Sequence, residues 1–320
     1  MMKGSVRYLE VSLVVLVILA TLGGCASSRT QGMIHSDEYR RMLEKQRAEA
    51  SLEQAADKKL PEMTAGEYDR LGDQYLAQGN MDMAFIQYRK ALHLEPEQIR
   101  FRYKLGYLFL QRGMWKEAQG EFQQVLRSNP TYAPAHDGLG RVFFHLGKPE
   151  EAEKHLRQSL THNPESWQAH NYLGILFERQ NRLEEAVQQF ETAISLRPNE
   201  SLLYNNLGTS LMRQGENLKA AQAFREAIKA GEPHPTIYNN LALTLSQLGR
   251  FSEALEMFKK SKDEPSAYYQ IGCVYLAHKK YREAMEAFER TIELTPGFHV
   301  KAYEKKQQAK AGLSVASQPN

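Results

Sequence analysis

Large apolar side chains stand along this chain in short stripes that recur at a fixed interval. A small residue marks each stripe, at Gly72, Gly106, Gly140, Gly174, Gly208, Ala242 and Gly272. It is preceded by Leu71, Leu105, Leu139, Leu173, Leu207, Leu241 or Ile271, and followed three places on by Tyr75, Phe109, Phe143, Phe177, Leu211, Leu245 or Tyr275. Apolar residues four apart share one face of a helix, so every stripe predicts an amphipathic helix. A second series, Ala84, Ala118, Ala152, Ala186, Ala220, Ala254 and Ala284, is followed four places on by Tyr88, Phe122, Leu156, Phe190, Phe224, Phe258 and Phe288. It predicts a second helix in each unit. The marker interval is 34 residues five times and then 30, which places a four-residue deletion around Lys260 to Ser266 and a shorter second helix or loop in the sixth unit.

Prolines close most units, at Pro96, Pro130, Pro164, Pro198, Pro265 and Pro296; the fifth departs slightly, with Pro233 one place late and Pro235 following. A proline lacks the N–H of a helix interior and restricts the residue before it, so it ends one helix and admits the next. Small residues at the Gly and Ala positions let two antiparallel helices approach closely, and the Leu and Phe positions fill the space between them. Neither helix can bury its stripe alone, so stacked neighbours complete each other's cores.

From Ala65 to about Pro296 these units resemble tetratricopeptide repeats. The resemblance implies an all-α fold, a right-handed solenoid of about seven helix-turn-helix repeats over residues 65–298. Beyond it, residues 299–313 read as a capping helix with Val300, Tyr303 and Ala309 on one side, and residues 314–320 as a disordered tail.

The N-terminal pattern is different. Lys3 and Arg7 precede an apolar run from Val11 to Leu22, long enough for a signal sequence and too short to cross a bilayer. It ends in Leu22-Gly23-Gly24-Cys25, which resembles a bacterial lipobox. That resemblance implies a signal peptide over residues 1–24, lipidation at Cys25, and a membrane partner reached through the lipid anchor. Ala26 stands where an inner-membrane retention Asp would be, which favours the outer membrane, facing the periplasm. Residues 25–62 are mostly polar and read as a lipid-anchored stalk, partly helical from Asp37 toward Lys59. Met42, Leu43 and Leu52 are too few there for a packed face. Once Cys25 is acylated, Cys273 has no partner for an internal disulfide, and it reads as a small core hydrophobe.

The formal charge is +3, and basic and acidic residues alternate along nearly every helix. That balance gives no reason to expect nucleic acid. The ten histidines form no His-Glu-x-x-His pair and no zinc-like cluster, and the glycines sit at the repeat interval rather than in a phosphate loop. No catalytic set, metal or cofactor is expected.

The repeat resemblance implies that first helices line an inner groove with residues spared from packing. At those positions stand Tyr103, Tyr107, Leu110, Arg141, Phe144, Asn171, Ile175, Asn205, Thr209, Met212, Asn239 and Leu243. Aligned apolar side chains suit an extended segment or an amphipathic helix, and the column Asn171, Asn205, Asn239 can hydrogen-bond a threaded backbone. The basic set that clamps a C-terminal carboxylate in chaperone-binding relatives is absent. Signal, stalk and repeats together, with Pro265 to Gly272 and Glu293 to Phe298, resemble pilus-assembly lipoproteins of Tad/Flp and type IV systems. This implies a scaffold that binds other envelope proteins, a secretin or pilus component above all. The alternatives are an adaptor for peptidoglycan hydrolases or proteases and a repeat lipoprotein of a polysaccharide or PEP-CTERM export system.

Overall fold

A computed structural model of the 320-residue chain describes residues 37, 39–48, 63–231, 234–297 and 299–316. Cys25 with the signal sequence, most of the stalk, Pro233 and residues 317–320 lie outside the described residues. The chain divides into two compact units, residues 1–124 and 125–320, and each is described by itself.

The first unit opens with a helix over residues 39–48 (α1). Ala65–Ala77 (α2) and Met81–Leu94 (α3) follow as a packed pair, then Ile99–Gln111 (α4) and the start of Trp115–Ser128 (α5). Thr64 caps α2 in a reciprocal box: its side chain accepts from the Glu67 N–H, while Glu67 accepts from the Thr64 N–H at 2.7 Å. The sequence reading denied α1 a packed face, and the structure corrects it. Met42 is buried, and the Tyr39 ring stands edge-on to Phe85 and Phe109 at centroid distances of 6.2 and 5.6 Å. Arg112 joins Asp82 at 2.6 Å, and Lys45 of α1 pairs with the same carboxylate. Two apolar anchors and one ion pair suffice because α1 lies on a surface that the first two repeats already supply.

The second unit carries the pairs Ala133–His145 (α6) with Pro149–His162 (α7), Trp167–Arg179 (α8) with Leu183–Leu196 (α9), and Ser201–Arg213 (α10) with Asn217–Lys229 (α11). Pro235–Gln247 (α12) with Phe251–Ser261 (α13) and Glu264–Ala277 (α14) with Tyr281–Leu294 (α15) complete the repeats, and Val300–Ala316 (α16) packs on α15. Each second helix also touches the first helix of the next pair, so no core closes on itself.

The two sequence series meet as the spacing requires. A Cβ built on Gly174 would lie 2.6 Å from the Phe190 ring, and one on Gly208 would lie 2.7 Å from Phe224. The same contact recurs from Gly72 to Tyr88 and from Gly272 to Phe288. The turn inside a pair needs a left-handed residue; glycine supplies it in most units, and Asn181 at φ 60° and Lys279 at φ 58° supply it in the fourth and seventh. The deletion shortens α13 to 11 residues, against 13 or 14 in the other second helices, and leaves Lys262 extended beyond it.

Of the cap's expected face only Ala309 is buried. Ala302 and Ala309 are fully buried, whereas Val300 and Tyr303 are about half exposed. Small residues face inward because α16 runs close to α15: a Cβ on Gly312 would lie 2.3 Å from the Tyr281 ring. The helix also runs through Ala316, past the expected end at Leu313.

Candidate protein-binding wall

First helices touch one another in succession in the second unit, α6 with α8, α8 with α10, and α10 with α12, so their shared face forms a continuous wall. Residues three before, one after and four after each repeat small residue fall on this face.

On the first unit's counterpart, Tyr103 and Tyr107 stack at 6.3 Å and are half-buried, but Leu110 is buried in the core. Sequence reasoning missed an ionic ladder beside them. Lys104 donates to Asp69 at 2.6 Å and to Asp73 at 2.7 Å, and Arg100 meets Asp69 at 2.7 Å. Burial pushes the Asp73 carboxyl up, yet hydrogen bonds from Lys104 and from the Tyr88 hydroxyl outweigh it and hold it below its usual value. Opposite charges about one repeat apart were the available signal.

The wall of the second unit begins with a cation–aromatic cluster. The Arg141 guanidinium lies 4.9 Å from the Tyr172 ring centroid, Arg179 lies 4.0 Å from that of Phe144, and the rings of Phe144 and Tyr172 meet edge-on at 5.8 Å. Phe144 is therefore buried rather than spare, with only 6% of its surface exposed. Asp137 stands 3.7 Å from Arg141; burial raises its carboxyl to about 6 against the pull of that guanidinium.

An amide ladder follows. Asn206 Nδ2 donates to Asn171 Oδ1 at 2.9 Å, and Asn240 Nδ2 donates to Asn205 Oδ1 at 3.1 Å. Asn171 is buried, and its acceptor, like that of Asn205, is already engaged; Asn205 and Asn239 are half-buried at the same register. The column thus stitches neighbouring repeats together, which a single repeat read in isolation does not reveal. Thr209 turns its hydroxyl back to the Asn205 carbonyl at 2.9 Å, while Met212 and Leu243 pack partly against the core. Ile175 is half-buried, and Arg213 pairs with Glu178 at 3.1 Å.

These groups offer amide hydrogen bonds, aromatic faces and guanidinium charge, the vocabulary of protein recognition. Among the described residues no group of His, Cys, Asp and Glu is placed to hold a metal, and no helix is long and apolar enough to cross a membrane. Burial raises the Cys273 thiol above its ordinary value, opposed by Lys305 and a hydrogen bond with Tyr269, so it stays protonated.

Residues 35–266 match the family described as cilia and flagella-associated protein 70 C-terminal domain, and residues 265–298 match the tetratricopeptide repeat. The chain belongs to this tetratricopeptide family. It is a repeat scaffold for protein–protein interaction, of a kind generally without enzymatic activity. The match begins ahead of α1, consistent with α1 packing on the repeats rather than hanging free. No curated protein matches the chain. Among solved structures, PilF of Pseudomonas aeruginosa is similar at 21% identity and a TM-score of 0.52, over 67% of this chain and 96% of that one. A tetratricopeptide repeat protein of Parabacteroides merdae gives 17% and 0.51 over 77% and 98%. The Cut9–Hcn1 assembly of the APC/C gives 15% and 0.56 over 84% of this chain and 52% of that one. At these identities the likeness establishes the repeat fold.

Proposed function

We propose that the chain is an outer-membrane-anchored scaffold that holds a segment of another envelope protein along α8, α10 and α12, and so assists assembly or localisation of a pilus or secretion machine. The observation that carries the reading is the continuous first-helix wall, where half-buried Asn205 and Asn239 lie beyond the Arg179, Phe144 and Tyr172 cluster. An extended segment laid there meets amides for its backbone and aromatic and cationic groups for its side chains. The compartment rests on sequence: Lys3, Arg7, the Val11 to Leu22 run and Cys25 describe an exported, acylated chain, with residues 26–36 as the reach between anchor and body. The family's name refers to a protein of cilia and flagella and bears on the repeat body alone. A secretin or pilus component is the favoured partner.

The test is affinity capture from cross-linked native envelopes with the full lipidated chain, a Cys25→Ser form and an Asn205→Ala/Asn239→Ala form. The expected result is enrichment of a secretin or pilus protein by the first, loss from the membrane fraction of the second, and several-fold weaker capture by the third. Enrichment of hydrolases or proteases without pilus proteins overturns the machine in favour of an adaptor role. Capture unaffected by the asparagine changes removes the wall as the binding surface.

A further inference from the structure

α1 sits on a seat that the repeats make without it. Phe85 and Phe109 meet at a centroid distance of 5.8 Å, and Arg112 Nη2 donates to Asp82 Oδ1 at 2.6 Å. All four side chains belong to α3, to α4 or to the residue that closes α4. Met42 is buried there, its Sδ accepting from Arg112 Nη1 at 2.8 Å, while Tyr39, Leu43 and Gln46 are only half-buried. A helix as short as residues 39–48 is marginal in water by itself, so α1 keeps its shape only while seated, and few buried contacts hold it there.

The seam under α1 is apolar where another seam of the chain is not. Phe85 directly follows the repeat residue Ala84, and its counterpart after Ala152 is Glu153. There Arg182 donates to Glu153 at 2.9 Å and lays its guanidinium 4.0 Å from the ring centroid of Phe177, the counterpart of Phe109. In the register of Arg182, eight places after the repeat glycine, the second repeat carries Met114. The chain covers the third seam with its own arginine and leaves the first to an added helix.

We infer that this first seam is a docking surface for the amphipathic helix of a partner protein, and that α1 is the latch which the partner displaces. α1 itself shows what fits: an aromatic ring against Phe85 and Phe109, an apolar residue three places on, and a cation three beyond that for Asp82, as Tyr39, Met42 and Lys45 provide. A second copy of the chain offers only the identical helix, against a resident one whose covalent connection keeps it at high effective concentration. The displacing helix is therefore longer and comes from another protein. The surface lies in the first unit and is independent of the wall on α8, α10 and α12.

The probe is an acetylated, amidated and fluorescently labelled peptide of residues 37–48, titrated by anisotropy into the full chain and into Tyr39→Ala/Met42→Ala, whose own latch is disabled. Saturable binding about ten-fold or more tighter to the variant than to the parent is expected. Adding Asp82→Asn should weaken it several-fold, and a peptide with alanine at both anchor positions should not bind. Equal binding to parent and variant, or no binding to a variant that keeps the parent's circular dichroism melt, overturns the surface. Hydrogen exchange of the parent is the second measurement: α1 amides should exchange about ten-fold or more faster than those of α3 and α4, and equal protection overturns the latch. A parent dimer in sedimentation that falls to monomer in the alanine variant overturns the partner in favour of a second copy.

Discussion

Replacing Gly174 by Ala pits two effects of opposite sign against each other. In an exposed helix interior, Ala is favoured over Gly by about 1 kcal/mol. At Gly174 the new Cβ would lie 2.6 Å from Cε1 of Phe190 and 2.8 Å from both Cδ1 and Cζ, where ordinary carbon contacts begin at about 3.5 Å. Phe190 is fully buried, so its rigid ring cannot swing into solvent. An overlap approaching 1 Å against three ring atoms belongs at the upper end of overpacking costs, about 3 kcal/mol. The net expectation is a loss of about 2 kcal/mol, or about 4–8 °C in melting temperature for a body of this size. Gly120 of α5 is the internal control, since nothing lies within 4 Å of its Cβ position; Gly120→Ala should gain about 0.5–1 kcal/mol. Circular dichroism melts and urea midpoints of the full chain measure both. In a Phe190→Ala background the clash partner is gone, and Gly174→Ala should turn from destabilising to stabilising. A Gly174→Ala protein that melts at or above the parent temperature refutes the close-approach argument for the repeat glycines.

Three further expectations concern buried histidines, a packed ring and the amide ladder. His136 donates its Nε2 proton to the Pro130 carbonyl at 2.9 Å and meets His155 Nδ1 with its own Nδ1 at 3.1 Å; burial lowers both imidazoles, His155 to about 4. A folded histidine below its unfolded value of about 6.5 loses stability as pH falls from there toward 4. His155→Gln, which copies the Gln189 that meets His170 at 2.8 Å, should therefore flatten melting temperature against pH in that window; the opposite slope from Asp137, raised to about 6, is common to both proteins and cancels. An identical slope in parent and variant rules the histidine pair out as its source. Phe144→Ala should cost about 3 kcal/mol in thermal or urea unfolding, because a buried ring between Tyr172 and Arg179 leaves a cavity, whereas Tyr107→Ala at a half-buried site should cost about 1. Asn206→Asp places a carboxylate against the buried Asn171 acceptor and should cost about 1–3 kcal/mol above pH 6, with less loss at pH 4, read from urea midpoints at the two pH values.

Much of the fold is legible in one dimension because a repeat protein makes its core from neighbours in sequence. The Gly and Phe series lie 16 residues apart in every unit, and the structure brings Gly174 to Phe190 and Gly208 to Phe224 at that spacing. The shortened α13 could likewise be read from one interval of 30 among those of 34. The wall was legible only as a register. Which of its side chains stay available depends on what the next repeat does with them: Leu110 and Phe144 are used in packing, and the carbonyl oxygens of Asn171 and Asn205 in stitching.

Periodic spacing alone determined that this chain builds paired helices and where their small and large positions fall; its standing as a scaffold for protein–protein interaction came with the family. Contacts between elements of unlike sequence were decided only by the tertiary structure. Tyr39 finds Phe85 and Phe109, Met42 is buried with it, and Ala302 and Ala309 rather than Val300 and Tyr303 face inward. The reason is physical: periodicity records which face of a helix is apolar, whereas the partner of a non-repeating segment is set by the surface its neighbours leave open, and no local pattern encodes that surface.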